Sequence, residues 1–420
     1  MLEAMLNSLR SPDLRKKLLF TAFILMVYRF GSYVPVPGID PKSLSNALTG
    51  QSGSVLQFLN LFSGGALTRF AVFALGIMPY ITASIVMQLM TVVIPKLEAL
   101  QKEGEAGYTK ITQYTRYFTV ALAVLQSLAY ILYFRSQGFL PEGTSWGRIY
   151  LVVISLTAGT TMVMWLGELV TQRGIGNGMS LLIFASIVSG LPGGIRAWWG
   201  MPPISRIIVA LLALAVTVGV VFVNEGVRRI PIQYARRVVG RRMTSGGTTY
   251  MPIRVNMAGV IPIIFASSLV ILPPTIAELA GGGNDNIFTK IANWLSPNSY
   301  YFIVLQALLI ILFTYFYTAI QFNPVDQAEN LKKYGGFVPG VRPGRPTAVF
   351  LDRVVTRLTL PGAIYLGFVA ALPALIFKYL PGQTFYFGAT SILIVVAVAL
   401  DTLRQAEAQL MQRNYEGFLR

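Results

Sequence analysis

The chain has 420 residues, of which 54% are hydrophobic and 12% charged, and its 34 Lys and Arg against 17 Asp and Glu leave a net charge of +17. A soluble domain carries about 25% charged residues, so water is not the main solvent of this polypeptide. With neither Cys nor His, disulfides are excluded and the usual zinc and haem ligands are missing, so no metal or other cofactor is expected.

A membrane-spanning helix needs about 20 mostly apolar residues, because each backbone amide in hydrocarbon must bond within its own segment. Such segments recur near 17 to 34, 76 to 95, 117 to 134, 149 to 170, 178 to 197, 204 to 223, 257 to 279, 301 to 320, 359 to 379 and 385 to 400. The expectation is an all-α polytopic membrane protein of about ten transmembrane helices. The first segment, from Leu18, has no small-residue cleavage site behind it and is expected to be a retained span.

Between Val34 and Gly76 lie PVPG, a polar stretch and then FLNLFSGGALTRFAVFAL, which is apolar but broken by Gly64 and Gly65 and carries Arg69. A short helix dipping back into the membrane and an interfacial helix lying flat outside both suit this composition. The second span carries two stripes, with Ile81 and Ile85 one turn apart beside Ser84, Gln88 and Thr91. Its start, GIMPYITASIVM from Gly76 to Met87, recurs as GVIPIIFASSLV from Gly259 to Val270, with five identities at the same offsets. The two copies fall in the second and seventh spans, so each half holds five spans and the halves are inverted. Residues 1–200 and 201–420 are the expected halves.

Glu168 lies near the cytoplasmic end of the fourth span and is expected to form a surface ion pair with Arg173. GIGNG at Gly174 to Gly178 lacks the third Gly of a dinucleotide fingerprint and is read as a tight turn. The loop near 224–256 holds seven Arg and one acid, with pairs at Arg228/Arg229, Arg236/Arg237 and Arg241/Arg242; the loop near 321–358 adds Lys332, Lys333, Arg342, Arg345, Arg353 and Arg357. Cytoplasmic loops collect Lys and Arg. The N-terminus through Lys17, alternate connections and the tail from Asp401 hold 25 of the 34 basic residues, which places both termini in the cytoplasm. Paired guanidinium groups suit a large anionic surface such as structured RNA or an acidic protein face.

No Walker A sequence is present, and the spans offer neither a nucleophile with a base nor a pair of carboxylates, so an enzyme is not expected. A secondary transporter of a small solute is the alternative to a channel. Its signature would be mid-span acids or His, and the chain has no His and few such acids.

Five stretches carry a family likeness: FSGGALTRFAVFALGIMPYITASIVMQL, MWLGELVTQRGIGNGMSLLIFASIVSGLP, VNMAGVIPIIFASS, FNPVDQAENLKKYGGFVPGVRPG and FYFGATSILIVVAVALD. In this order over nearly the whole chain, they resemble the bacterial SecY family, the channel subunit of the Sec protein translocon. The resemblance implies two inverted five-helix halves around a central hourglass pore, closed outside by a re-entrant plug helix near 58–75, here including Phe62, Gly64, Gly65 and Arg69. It implies a pore ring of Ile81, Ile85, Met179, Ile183, Ile261, Ile264 and Ile394. It also implies a lateral gate between the second and third spans and the seventh and eighth, with Gln88, Thr91, Asn177 and Ser268 near a polar seam and Gln88 close to Ser268. Arg342 matches the position that serves the SecA motor ATPase, and Arg236, Arg237, Arg241 and Arg242 fall in the loop offered to SecA and the ribosome. The implied partners are SecE-like and SecG-like small membrane subunits, signal sequences, nascent polypeptides and membrane lipid. The implied location is the bacterial cytoplasmic (inner) membrane.

Overall fold

All ten apolar segments fall on helices in a computed structural model that describes residues 12–37, 60–136, 145–234, 237–239, 242–244, 247–279, 294, 299–379 and 389–417. Twelve helices are named here: α1 (Pro12–Gly31), α2 (Met78–Val93), α3 (Pro95–Lys102), α4 (Glu105–Ser136), α5 (Trp146–Arg173), α6 (Gly178–Trp199), α7 (Pro203–Glu225), α8 (Ile261–Leu279), α9 (Tyr300–Gln321), α10 (Pro324–Lys333), α11 (Arg345–Tyr379) and α12 (Ala389–Gly417). Among the described residues six helices are long and apolar enough to cross a membrane. A seventh results if α2 and α3 count as one span, bent by 97° between them. The bend falls at Ile94, which is held extended ahead of Pro95, a residue that excludes helical backbone before it. The protein is an all-α polytopic membrane protein.

Lipid-facing surface and core follow from side-chain placement on each helix. On α7, Val209, Val216, Val220 and Asn224 are buried while Ile204, Leu211, Val218 and Phe222 stand fully out. Hydroxyls inside the bundle return their protons to their own helix: Thr82 donates to Met78 O, Thr160 to Leu156 O, Ser186 to Leu182 O and Thr314 to Ile310 O, at 2.6–3.0 Å. This is how hydrocarbon tolerates them.

The repeat read from the sequence has a geometric counterpart. Gly76 and Gly259 both take left-handed backbone, φ +57° and +63°, and a helix starts two residues after each. A proline follows at the second helical position in both, Pro79 and Pro262, where no intrahelical N–H is required.

The Arg-rich connections hold more order than expected from their charge. β1 (Val227–Tyr234) pairs antiparallel with β4 (Thr248–Arg254) on one side and with β5 (Gly336–Phe337) on the other, while β2 (Arg237–Val239) and β3 (Arg242–Thr244) form a separate ribbon between β1 and β4. Ile230, Ile232 and Ile253 point inward from this sheet onto Leu331, Leu351, Val354 and Val355. The loop near 321–358 is accordingly not irregular. It contains α10 and the first fourteen residues of α11, whose Ala348, Leu351 and Val355 are buried while Asp352, Arg353 and Arg357 face out.

The segment assigned to a re-entrant helix differs from that expectation. In its described part only residues 60–62 are helical, and a series of turns follows to Ile77. Gly64 (φ +66°) and Gly65 (φ +82°) adopt left-handed backbone that ends the helix there. Phe70 shares it at φ +45°, and a bridge between Pro35 and Ala71 ties the segment to the end of α1. Residues 58 and 59 lie outside the described set.

Candidate functional site

Seven aliphatic side chains expected to ring a neck are brought together at the centre of the bundle. Ile81 and Ile85 of α2, Ile183 of α6, Ile264 of α8 and Ile394 of α12 are all buried in one apolar cluster, and Met179 and Ile261 pack against it partly exposed. The helices that carry them meet pairwise, α2 with α8, α6 with α12 and α8 with α12. Met179 departs from the ring in direction: the bare Gly167 of α5 lies so close to its sulfur that a Cβ there would sit 2.5 Å from Sδ. The missing side chain of Gly167 is what gives the thioether its seat.

The turn segment closes one end of this cluster. Phe62, 1% exposed, belongs to the same apolar group as Ile81 and Ile183. Gly64 lies against α6, where a Cβ would meet Ser186 Cα and Ser189 Oγ at 3.2 Å. The opposite side of the segment, Leu67, Phe70, Ala74 and Leu75, packs on Ile131 and Phe134 of α4 and on Ile149 and Leu156 of α5. Arg69 is exposed and rests 4.0 Å above the Tyr33 ring.

The four residues expected at a polar seam are not assembled into one group. Ser268 of α8 is buried, donates to Ile264 O at 2.8 Å and lies 3.9 Å from the sulfur of Met78 on α2. That contact joins the second and seventh spans as expected, but at Met78 and not at Gln88, which stands ten residues, or about 15 Å, further along α2. Thr91 donates to Gln88 O at 2.7 Å, while the buried Oε1 of Gln88 has no hydrogen-bond partner among the described residues. Asn177 is exposed and caps α6, accepting from Met179 N and Ser180 N at 3.0 and 3.4 Å. Its local role is that of an N-cap.

Two polar clusters were not foreseen from the sequence. Glu168 pairs with Arg116 of α4, at 2.8 Å (Nε to Oε1) and 2.6 Å (Nη2 to Oε2), and not with Arg173. Arg116 precedes the apolar segment near 117 to 134, whereas α4 begins eleven residues before it. At the N-terminal base of α8, Asn256 donates to Asn224 Oδ1 (2.9 Å) and to Gly259 O (3.2 Å) and accepts from Gly259 N (3.0 Å). Arg404 of α12 donates to Asn224 O and to Glu225 Oε1, the latter at 2.9 Å. An Asn three residues before a Gly at the foot of a helix is the only sequence signal for this node.

Of the basic residues, Arg342 is exposed on a turn between Gly340 (φ +82°) and Gly344 (φ +102°), with Thr347 Oγ1 bonded to its carbonyl oxygen at 2.9 Å. Arg237 and Arg242 begin β2 and β3, and Arg236 and Arg241 lie outside the described residues. Among the described residues no group of three or more Asp or Glu could hold a metal ion.

An all-α bundle of membrane-spanning helices around a buried aliphatic cluster defines a class, that of polytopic membrane proteins. Comparison with known proteins is specific. The sequence profile of the SecY family matches residues 71–403. Proteins named Protein translocase subunit SecY from Streptomyces galbus and Mycobacterium bovis are 49% and 48% identical, with 100% of both chains covered in each case. The fold is similar to that of a solved protein conducting channel, with TM-score 0.64 at 19% identity over 93% of this chain and 91% of that chain. It is also similar to Sec61 in the canine ribosome-channel complex from the endoplasmic reticulum, with TM-score 0.59 at 17% identity over 93% and 91%. The chain belongs to the SecY family.

Proposed function

We propose that this chain is a protein-conducting channel that passes unfolded secretory polypeptides across the bacterial cytoplasmic membrane and releases apolar segments sideways into lipid. The observation that supports this reading is the convergence of Ile81, Ile85, Ile183, Ile264 and Ile394, with Ile261 packed against them, from four helices into one apolar cluster, which we read as the neck of a pore. Aliphatic side chains offer no anchor to water or ions, so such a neck dewets when empty and deforms around a moving chain. Phe62 and the Gly64–Gly65 turns act as the plug on its external side.

The lateral gate is the α2–α8 seam, flanked by α4 and α9. A signal sequence gains about 0.8 kcal/mol per CH₂ moved into lipid, against polar seam contacts of about 0.6 kcal/mol each. Its 7 to 15 apolar residues (about) therefore outweigh what holds the seam shut. Driving force comes from partners: a SecA-like motor at Arg342, and the ribosome at the Arg-rich ribbon of β2 and β3. SecE-like and SecG-like subunits complete the assembly, both termini face the cytoplasm, and residues 1–200 and 201–420 move as the two halves. The cationic cytoplasmic loops and the similarity to a ribosome-bound Sec61 support this assignment.

The test is photocrosslinking of a stalled secretory polypeptide to probes at Ile85 and Ile264. Adducts at both positions, absent at the lipid-facing Phe222, are expected; adducts at neither would refute the path.

A further inference from the structure

We propose that Arg29, at the external end of α1, is the positioning residue that latches the plug in place, and that opening requires its bond to Gly64 to break. This inference rests on reading residues 60–75 as the plug.

The geometry is a three-point hold. Arg29 Nη1 donates to Gly64 O at 2.6 Å and its Nη2 donates to Tyr33 Oη at 2.9 Å. The same guanidinium lies 4.8 Å from the Tyr33 ring centroid, and that of Arg69, from the plug itself, lies 4.0 Å from it. Tyr33 thus carries one cation from α1 and one from the plug, an arrangement that attracts through the ring quadrupole. Ser189 Oγ adds a longer bond to the Gly64 carbonyl, 3.4 Å. Among the described residues the Gly64 carbonyl takes its hydrogen bonds from outside its own segment, and Arg29 supplies the shorter one from a fixed helix. All of these anchors, α1 and α6, belong to the N-terminal half. Separation of the halves alone therefore does not release the plug; a chain in the neck must displace Phe62 and break the charged bond.

Because the chain has no Cys, Ser63→Cys provides a sole thiol at a position 2% exposed. Its labelling by a membrane-impermeant maleimide added outside reconstituted vesicles reports departure of the plug. In this background Arg29→Gln is expected to speed labelling per folded molecule about tenfold or more without any substrate, as expected for loss of a charged hydrogen bond. Arg29→Lys is expected to fall between, because an ammonium holds one acceptor but not the fork. Tyr33→Leu carries the same test if Arg29→Gln fails to insert, and is expected to speed labelling too. A merely structural Arg29 would lower yield and leave labelling unchanged, which overturns the latch. A stalled secretory polypeptide separates the two ideas: if it fails to raise labelling in the Ser63→Cys background with Arg29 intact, the plug reading is wrong; if it raises labelling while Arg29→Gln and Tyr33→Leu do not, only the latch is wrong.

Discussion

Arg116 on α4 grips both carboxylate oxygens of Glu168 on α5, with the carboxylate side chain 13% exposed and the guanidinium 40%. The pair pins two neighbouring helices together, near the C-terminal end of α5. Its partial exposure places it between a screened surface pair and a buried one. Glu168→Gln and Arg116→Gln are each expected to destabilise by about 1 kcal/mol, and the double variant by no more than either. Thermal unfolding in detergent checks this. Additive losses would mean that the two side chains act independently.

Contact between Met78 and Ser268 makes a second prediction about the seam. Cysteines at these positions are expected to be joined by a short reducible thiol crosslinker and to block export until reduced, because α2 and α8 touch here with the Met78 sulfur 3.9 Å from Ser268 Oγ. A pair at Gln88 and Ser268 is expected to stay unlinked, because about ten residues of helix separate Gln88 from the contact. Gel mobility and vesicle export assays read both outcomes.

The Asn256 node at the foot of α8 gives a third. Asn256→Ala strips Asn224 Oδ1 and the Gly259 amide of their partners. A cost of about 1–3 kcal/mol is expected, localised to the base of a gate helix. Signal sequences of weak hydrophobicity should then pass more readily. Arg404→Gln, which removes the tie from α12, should act in the same direction. Unchanged export of weak signals by both variants would show that the node plays no part in gating.

Arg342→Glu, on its exposed turn, is expected to abolish motor-driven export while the chain still inserts and folds, because a reversed charge repels an acidic docking face. Vesicles supplied with motor and ATP provide the measurement. Normal export would rule the contact out.

Spans were legible because a hydropathy period reports one helix at a time, and the Gly76 and Gly259 copies were legible because each left-handed turn needs a glycine. Structure that depends on distant partners was not. The period-two pattern of Ile230 and Ile232 sat inside an Arg-rich loop and was masked by its charge, since the apolar face that covers it, Leu351 to Val355, lies over a hundred residues on. Glu168 had a cation nearby in sequence, but a helix delivers Arg116 at the right height and angle. The stretch from Phe62 to Ile77 was legible as a broken apolar segment. Its conformation was not, because glycines permit turns without dictating which neighbour accepts their carbonyls.

The most direct test of the central claim is ion conductance of vesicles holding Ile85→Asn/Ile183→Asn protein, normalised to folded molecules. These two side chains, 3% and 1% exposed, sit in the central apolar cluster proposed above as the neck. Amides there would anchor water where the native side chains offer nothing, so the empty channel should leak. The account predicts conductance well above that of the wild type with no substrate present; a well-folded double variant with an unchanged baseline would contradict it.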